Sequence, residues 1–458
     1  MMTTITCISP IDGSVYATRD ALGHDAALDA VARARAAQKA WAARPLQDRI
    51  DMVMAAVDQI EQGKDRMTLE LAHQMGRPVR YGGEFGGFKE RASHMAGIAA
   101  GALAPKVIED SDKALRKIAF EPHGVVFVVA PWNYPYMTAN NTIAPALIAG
   151  NTVILKHASQ TILVGEHLAE AYHAAGVPTD VFQNVVLDHD TTSRLISENA
   201  FDFVNFTGSV GGGQAMERAA AGTFTGVATE LGGKDPGYVR ADADLDAAVD
   251  GLMDGAMFNA GQCCCGIERI YVHESLYDAF VEKAVAWVNA LTLGNPLEQA
   301  TTLGPMANVR FAREVRAQID EAVVDGATAH IAPMTADDGG AYLTPQVLTN
   351  VTHDMRVMRD ESFGPVVGIM PVKDDEEAIA LMNDSVFGLT AAIFTRDAAA
   401  AESIAARLES GTVFMNRADY LDPALCWTGC KQTGRGAGLS ELGYRALTRP
   451  KSYHLKKA

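Results

Sequence analysis

Between Gly124 and Glu230 the chain alternates segments suited to a sheet interior with segments suited to helices. VVFVVA at 125–130, TVIL at 152–155, FQNVV at 182–186 and FDFVNF at 201–206 are rich in β-branched and aromatic residues, as expected of strands covered on both faces. Helical stretches separate them, among them Leu163 to Ala175, with Gly176 placed to cap its C-terminus. This β-α-β-α-β order predicts a parallel, doubly wound sheet, since parallel neighbours need a crossover between them. A second alternation starts after Lys234, with a helix near Asp244 to Asn259, a strand ERIYV at 268–272 and a helix from Leu276 to Leu291.

Outside these segments, Ile50, Val53, Met54, Val57 and Ile60 recur at steps of three and four and mark one face of an amphipathic helix. The first hundred residues read as mostly helical. The polar, Gly-rich stretch from Thr335 to Gly340 reads as a surface loop, and KSYHLKK near the end as an edge strand. A length of 458 residues suggests two to four domains. With 39 Lys and Arg against 56 Asp and Glu, the net charge of −17 disfavours nucleic-acid backbones and anionic lipid as partners. Apolar runs such as Gly124 to Trp132 are too short to span a membrane, and the N-terminus has no signal-peptide pattern. A cytoplasmic protein with reduced thiols is expected, because Cys263, Cys264 and Cys265 are consecutive and pair poorly as disulfides.

That thiol run, NAGQCCCGIER at 259–269, is the most unusual stretch for chemistry. A cysteine there can be a nucleophile or a small buried hydrophobe, and the residues alone leave both readings open. No metal is expected, since consecutive cysteines do not match C-x-x-C ligand spacing. ELGGK at 230–234 places Glu230 beside two glycines at the junction of the two α/β segments, as a general base or as a solvated cap. FTGSVGGG at 206–213 is a strand end and helix start that either cradles a pyrophosphate or is a plain turn. PWNYP at 131–135 carries an Asn amide at the carboxyl end of a strand. Neither G-x-G-x-x-G after the first strand nor G-x-x-x-x-G-K-[ST] occurs.

Taken in order, PWNYP, LKHAS (155–159), FTGSVGGG, ELGGK, NAGQCCCGIER, ESFGP (361–365) and NRADY (416–420) resemble the aldehyde dehydrogenase superfamily along nearly the whole chain. The 34 residues from Glu230 to Cys264 match that family's spacing as well. The resemblance implies an α/β fold of two doubly wound α/β domains plus a small β oligomerisation flap. A cofactor domain would span 1–232, interrupted by a flap hairpin near 106–123. A catalytic domain would span 233–432, and 433–458 would return to the cofactor domain and supply the C-terminal oligomerisation strand. A homodimer or homotetramer is the expected assembly.

By the same resemblance Cys264 is the nucleophile, Asn133 with the Cys264 backbone N–H holds the oxyanion, and Glu230 activates the water that hydrolyses a thioester. The cofactor would be NADP or NAD, contacted by Trp132, Lys156, Ser159, Gly208, Ser209, Gly232, Glu361 and Phe363. Ser159 stands where NAD-strict members commonly carry a ribose-binding Glu, so NADP is an expected cofactor, with Lys156 and His157 supplying positive charge; NAD remains open. The small-molecule aldehyde would pass Tyr134, Thr138, Asn141, Cys263, Cys265, Leu421 and Trp427. Asn141 stands where succinic semialdehyde enzymes tend to carry an Arg and betaine-type enzymes an aromatic, which ranks both substrates lower, while Arg417 remains available to an anionic group. CWTGCK at 426–431 departs from the family's P-F-G-G-x-K, and Ala437 and Gly438 replace an R-E pair. The alternatives are a CoA-acylating enzyme, which Glu230 disfavours, and a catalytically idle binding protein on the same fold.

Overall fold

The structure is a computed structural model that describes residues 3–418 and 420–457. Four helices, His24–Ala42, Leu46–Gln62, Lys64–Met75 and Phe85–Ala102, fill the N-terminal hundred residues as the periodicity predicts. They are preceded by a two-stranded antiparallel hairpin, Thr4–Ile8 with Val15–Asp20, that the helical reading missed.

The first alternation builds a six-stranded sheet. In spatial order its strands are Gly434–Arg435, Gly226–Glu230, Phe203–Thr207, Val125–Val129, Thr152–Lys156 and Phe182–Asn184. The five strands before residue 231 are mutually parallel, and only Gly434–Arg435 runs antiparallel. Val125–Val129 and Thr152–Lys156 are buried at every position, which explains their unbroken apolar character. The expected strand at 182–186 is shorter, because Val185 and Val186 leave the ladder.

The second alternation gives seven strands, in the order Thr328–Ala329, Gln346–Thr349, Val366–Val372, Ile267–His273, Asp235–Val239, Thr390–Phe394 and Thr412–Met415. The sequence showed only one of these strands, Ile267–His273. No element interrupts the stretch between Ala329 and Gln346, where the polar loop was expected. A three-stranded antiparallel sheet stands apart from both. It pairs Lys106–Asp110 and Thr448–Lys456 with the two edges of Ala114–Pro122, so the KSYHLKK strand does lie at an edge.

The carboxyl ends of parallel strands are where ligands meet an open α/β sheet. Val125–Val129 leads into PWNYP, Phe203–Thr207 into the glycine-rich helix start, and Gly226–Glu230 ends on the candidate base. From the second sheet, Asp235–Val239 begins just after ELGGK and Ile267–His273 just after the three cysteines. Both signature stretches are thus short links into adjacent strands, which pair in parallel. No helix among the described residues is long and apolar enough to cross a membrane.

Candidate active site

The cysteine loop begins where the helix Leu245–Met257 ends. Asn259, Ala260 and Gly261 all adopt positive φ, at 54°, 55° and 68°. Successive left-handed residues cost roughly 1–2 kcal/mol each for a side chain other than Gly, so tertiary contacts must hold them. Asn259 supplies several: its Nδ2 donates to Asn133 O (3.3 Å) and to Gln262 O (3.2 Å), and its Oδ1 accepts from Arg77 Nε (3.2 Å). Gly261 is pressed against ESFGP, where a Cβ would sit 2.2 Å from Gly364 O.

The sulfurs of Cys263, Cys264 and Cys265 lie within 4.8 Å of one another, and Cys263 and Cys265 are 3.4 Å apart in a thiol hydrogen bond. Cys263 and Cys265 are buried, whereas Cys264 is partly exposed. Hydrogen bonds from Cys264 and Cys265 hold the Cys263 thiol well below the usual range. The same contacts push Cys264 and Cys265 up. These contacts couple the three thiols and favour ionisation at Cys263 over Cys264 and Cys265.

Asn133 is buried, and its Nδ2 donates to Gln262 O at 3.3 Å, immediately before the cysteines. Its own carbonyl is held by Asn259 and by Arg77 Nη2. Arg77 is in turn paired with buried Glu84 (3.4 Å), whose other oxygen accepts from Met137 N (2.8 Å). Arg77, Glu84, Asn259 and Gln262 fix the orientation of the Asn133 amide, and none was singled out from the sequence. Arg77 and Glu84 belong to no motif, whereas Asn259 and Gln262 lie inside NAGQCCCGIER, where only the thiols were given a chemical role.

Glu230 ends its strand half-buried. Burial pushes its carboxyl up to about 7, against the smaller opposing effects of Arg91 and a hydrogen bond to Thr207. A Cβ on Gly438 would lie 2.9 Å from Glu230 Oε1, so this departure from the family's R-E pattern leaves room beside the carboxylate. ELGGK and the cysteine loop are in contact: a Cβ on Gly233 would stand 2.6 Å from Cys264 O. Gly232 is equally constrained, since its Cβ would fall 2.0 Å from Glu361 Oε1.

Glu361 accepts from Gly233 N (3.1 Å), and burial raises its carboxyl to about 8. Lys234 lies in a buried cluster, 2.5 Å from Glu268 Oε2 and 2.9 Å from Ser362 Oγ. Glu268 also accepts from the backbone N–H of Ser362 and Phe363, both at 2.8 Å. The Lys of ELGGK and the Glu of GIER thereby hold ESFGP in place. Phe363 lies edge-on to Trp132 (5.5 Å), which also stacks on Phe311 (5.3 Å).

Lys156 and Ser159 line a separate cavity of about 230 Å³, shared with His157, Asp188 and His189. Burial lowers the Lys156 pKa, with Asp188 opposing. The expected positive charge from His157 is not there. Burial drives its pKa down to about 4, its Nε2 donates to Pro135 O (3.2 Å) and its Nδ1 accepts from Thr161 Oγ1 (3.3 Å), so it is neutral at neutral pH. Ser209 caps the helix Val210–Ala220, accepting from Gly212 N at 3.2 Å, and Gly208 N donates to Glu230 O (3.1 Å).

Of the expected tunnel residues, Cys263, Cys265 and Trp427 are members of one buried apolar cluster, against which Tyr134, Leu421 and Cys264 pack. Tyr134 also hydrogen-bonds the Cys263 sulfur. Thr138 and Asn141 follow on the helix Pro135–Ile148, half-buried and buried. Arg417 is exposed, with its guanidinium 4.0 Å from the Tyr420 ring centroid.

A family model described as "Aldehyde dehydrogenase family" matches residues 2–453. An "Aldehyde dehydrogenase" of Paenarthrobacter nicotinovorans is 33% identical, over 98% of this chain and 99% of its own length. A "Succinate-semialdehyde dehydrogenase [NADP(+)]" of Deinococcus radiodurans is 32% identical, over 92% and 88%. Among solved structures, the NADP-dependent glyceraldehyde-3-phosphate dehydrogenase of Bacillus halodurans, complexed with NADP, superposes with a TM-score of 0.94 at 33% identity, over 100% of this chain and 96% of that one.

Proposed function

The chain belongs to the aldehyde dehydrogenase family and catalyses NAD(P)-dependent oxidation of aldehydes, and on that premise we propose how its residues divide the work. Cys264 attacks the aldehyde carbon, and the carbonyl oxygen becomes an oxyanion that accepts from Asn133 Nδ2 and from the Cys264 backbone N–H. The resulting thiohemiacetal is covalently bound to the Cys264 sulfur. When bound, the nicotinamide supplies the acceptor for the hydride, whose departure leaves an acyl thioester on Cys264. Glu230 then removes a proton from the water that attacks this thioester, and the product leaves as a carboxylic acid. A carboxyl pushed up to about 7 suits that role, being partly ionised and basic at neutral pH.

The residues present fit the cofactor. The cavity beside Lys156 and Ser159 would take the adenosine ribose, the capped helix start at Gly208 and Ser209 the pyrophosphate, and Gly232, Glu361, Trp132 and Phe363 the nicotinamide end. Ser159 brings no carboxylate to the ribose, which leaves space and charge for a 2′-phosphate; Asp188 on the same cavity works against it. Dual use of NADP and NAD is therefore the reading for this chain. The observation that supports the assignment is the contact of ELGGK with the cysteine loop, where Gly233 meets the Cys264 carbonyl three residues after Glu230.

The cofactor part would comprise 1–232 with the flap hairpin, the catalytic part 233–432, and 433–458 would return to the first sheet and the flap. Val107, Ile108 and Leu455 leave apolar side chains exposed on the flap's outer strands, a surface suited to a second copy of this chain. The test is initial-rate NADH and NADPH formation across an aldehyde panel, with Cys264→Ala beside the wild type. Loss of all turnover in the variant is the expected result. A variant that oxidises aldehydes at the wild-type rate, or a wild type that produces acid only as acyl-CoA, would overturn the reading.

A further inference from the structure

A turn brings the three consecutive thiols together. Gly266 N donates to Cys263 O (3.1 Å), closing a β-turn with Cys264 and Cys265 at its corners. In an extended strand successive side chains point to opposite faces, so three thiols in a row would be divided between them. The turn removes that alternation, and the sulfurs of Cys263, Cys264 and Cys265 gather within 4.8 Å of one another. The loop is pinned from outside, with Gly261 against Gly364 and Gly233 against the Cys264 carbonyl. Cys263 and Cys265 sit in the apolar cluster that also holds Trp427. Tyr134 hydrogen-bonds the Cys263 sulfur, and its ring centroid lies 4.7 Å from the Arg77 guanidinium carbon. Oxidation of an aldehyde through Cys264 uses one of these thiols and gives the other two no task.

Ligand spacing along the chain argues against a metal here, but spacing only stands in for where the sulfurs end up, and in this loop they converge. We propose that Cys263, Cys264 and Cys265 form a binding site for one zinc ion, which occupies the nucleophilic sulfur and switches the enzyme off. Thiolate donors suit zinc, whereas magnesium and calcium take oxygen ligands. With Zn–S bonds of about 2.3 Å, tetrahedral geometry sets the sulfurs about 3.8 Å apart. The Cys263–Cys265 pair, at 3.4 Å, opens slightly, and no pair within 4.8 Å has to close by more than about 1 Å. Water takes the fourth position, as in zinc sites with three protein ligands. Binding exchanges protons for the ion: three Cys–SH and Zn2+ give a zinc tris-thiolate with one net negative charge and three H+, and nothing is oxidised or reduced. Buried Arg91 offsets that charge, because its guanidinium lies in the field of Cys265 and Cys264. With its amide oriented so that both ends are satisfied, Asn141 accepts from Arg91 Nη1 (3.2 Å), while Arg91 Nε has no hydrogen-bond partner. Tyr134 is the outer-shell group that orients the Cys263 ligand.

The test takes the full-length wild type, stripped with a chelator, and titrates it with Zn2+ against a chromophoric chelator, with Co2+ as the spectroscopic substitute. One zinc per chain, three sulfurs around it by X-ray absorption, and a sulfur-to-cobalt charge-transfer band are the expected results. Cys263→Ser and Cys265→Ser should each weaken zinc affinity by more than about a hundredfold, beyond the loss that removing an outer-shell partner causes. Cys430→Ser should bind as the wild type does, since that sulfur instead meets the Gly388 and Glu409 carbonyls. Turnover should fall in step with zinc occupancy and return when chelator is added, an effect that rests on the reading of Cys264 as the nucleophile. Fewer than three sulfurs around the ion in the wild type overturns the proposal whether or not any variant folds. Undiminished affinity in Cys263→Ser or Cys265→Ser does the same. Zinc held by three sulfurs with turnover untouched would uphold the site and strike instead at the role of Cys264.

Discussion

Replacing Glu230 by Gln should separate stability from activity, and the two should diverge with pH in a defined way. In the folded protein burial holds the carboxyl at about 7 against an ordinary value of 4.5. Two and a half pH units at ~1.4 kcal/mol each come to about 3 kcal/mol. Because the folded value is raised, the contribution of the protonated form is fully present below pH 4.5. It is lost as pH rises from there through about 7, where the buried group must ionise without a paired cation. Gln has nearly the same shape, can still hydrogen-bond Thr207 and does not ionise. The stability gained in Glu230→Gln should therefore be small at pH 5 and approach about 3 kcal/mol at pH 8, read as the difference in urea unfolding between variant and wild type. Glu361, pushed up to about 8, titrates in both proteins and drops out of that difference. Turnover should move the other way. Wild-type kcat should rise roughly tenfold between pH 6 and 8 as Glu230 ionises, while the variant should release one burst of NAD(P)H per active site and then stall on its thioester. A stability gap equal at pH 5 and pH 8 would refute the reasoning, as would a wild-type profile with no break near pH 7.

Lys234→Met strands Glu268 in the interior, and breaking such a pair costs about 3–5 kcal/mol; thermal unfolding should show a drop of several degrees, partly restored by adding Glu268→Gln. A melting temperature unmoved by the single change would mean the pair contributes nothing. Ser159→Glu puts a carboxylate on the ribose cavity, so kcat/KM for NADP should fall at least about tenfold while that for NAD holds or improves. Equal losses for both cofactors would show that Ser159 does not face the 2′ position.

The parallel sheet of the first half was legible because its strands are buried on both faces and so carry unbroken apolar runs between helices. Most of the second sheet was not. Thr390–Phe394 (TAAIF) carries two alanines and Gln346–Thr349 (QVLT) opens on Gln, so neither shows the β-branched run of VVFVV, and a short run of that kind reads equally well as part of a buried helix. The N-terminal hairpin was missed for a related reason: TITCI and VYATRD are largely exposed and carry little apolar signal. Lys156 and His157 were both read as sources of charge from their residue types alone. Burial and two hydrogen bonds make His157 neutral, and no local pattern announces that.

Sequence alone determined which chemical groups are available and on which links they sit: a thiol after one helix, a carboxylate at one strand end, an amide at another. Those depend on local order and on the rule that strand ends in a parallel sheet gather at one edge. Tertiary structure decided what each group can do, because reactivity depends on neighbours distant in sequence. Only the packed chain shows that Cys264 is the most exposed of the three cysteines, that burial raises the Glu230 carboxyl, that Arg77 and Asn259 hold the Asn133 carbonyl, and that Arg91 stands beside Asn141 with an unpartnered Nε. Burial and electrostatic fields are properties of three-dimensional packing, and nothing in the linear order of Arg91, Asn133, Glu230 and Cys264 carries them.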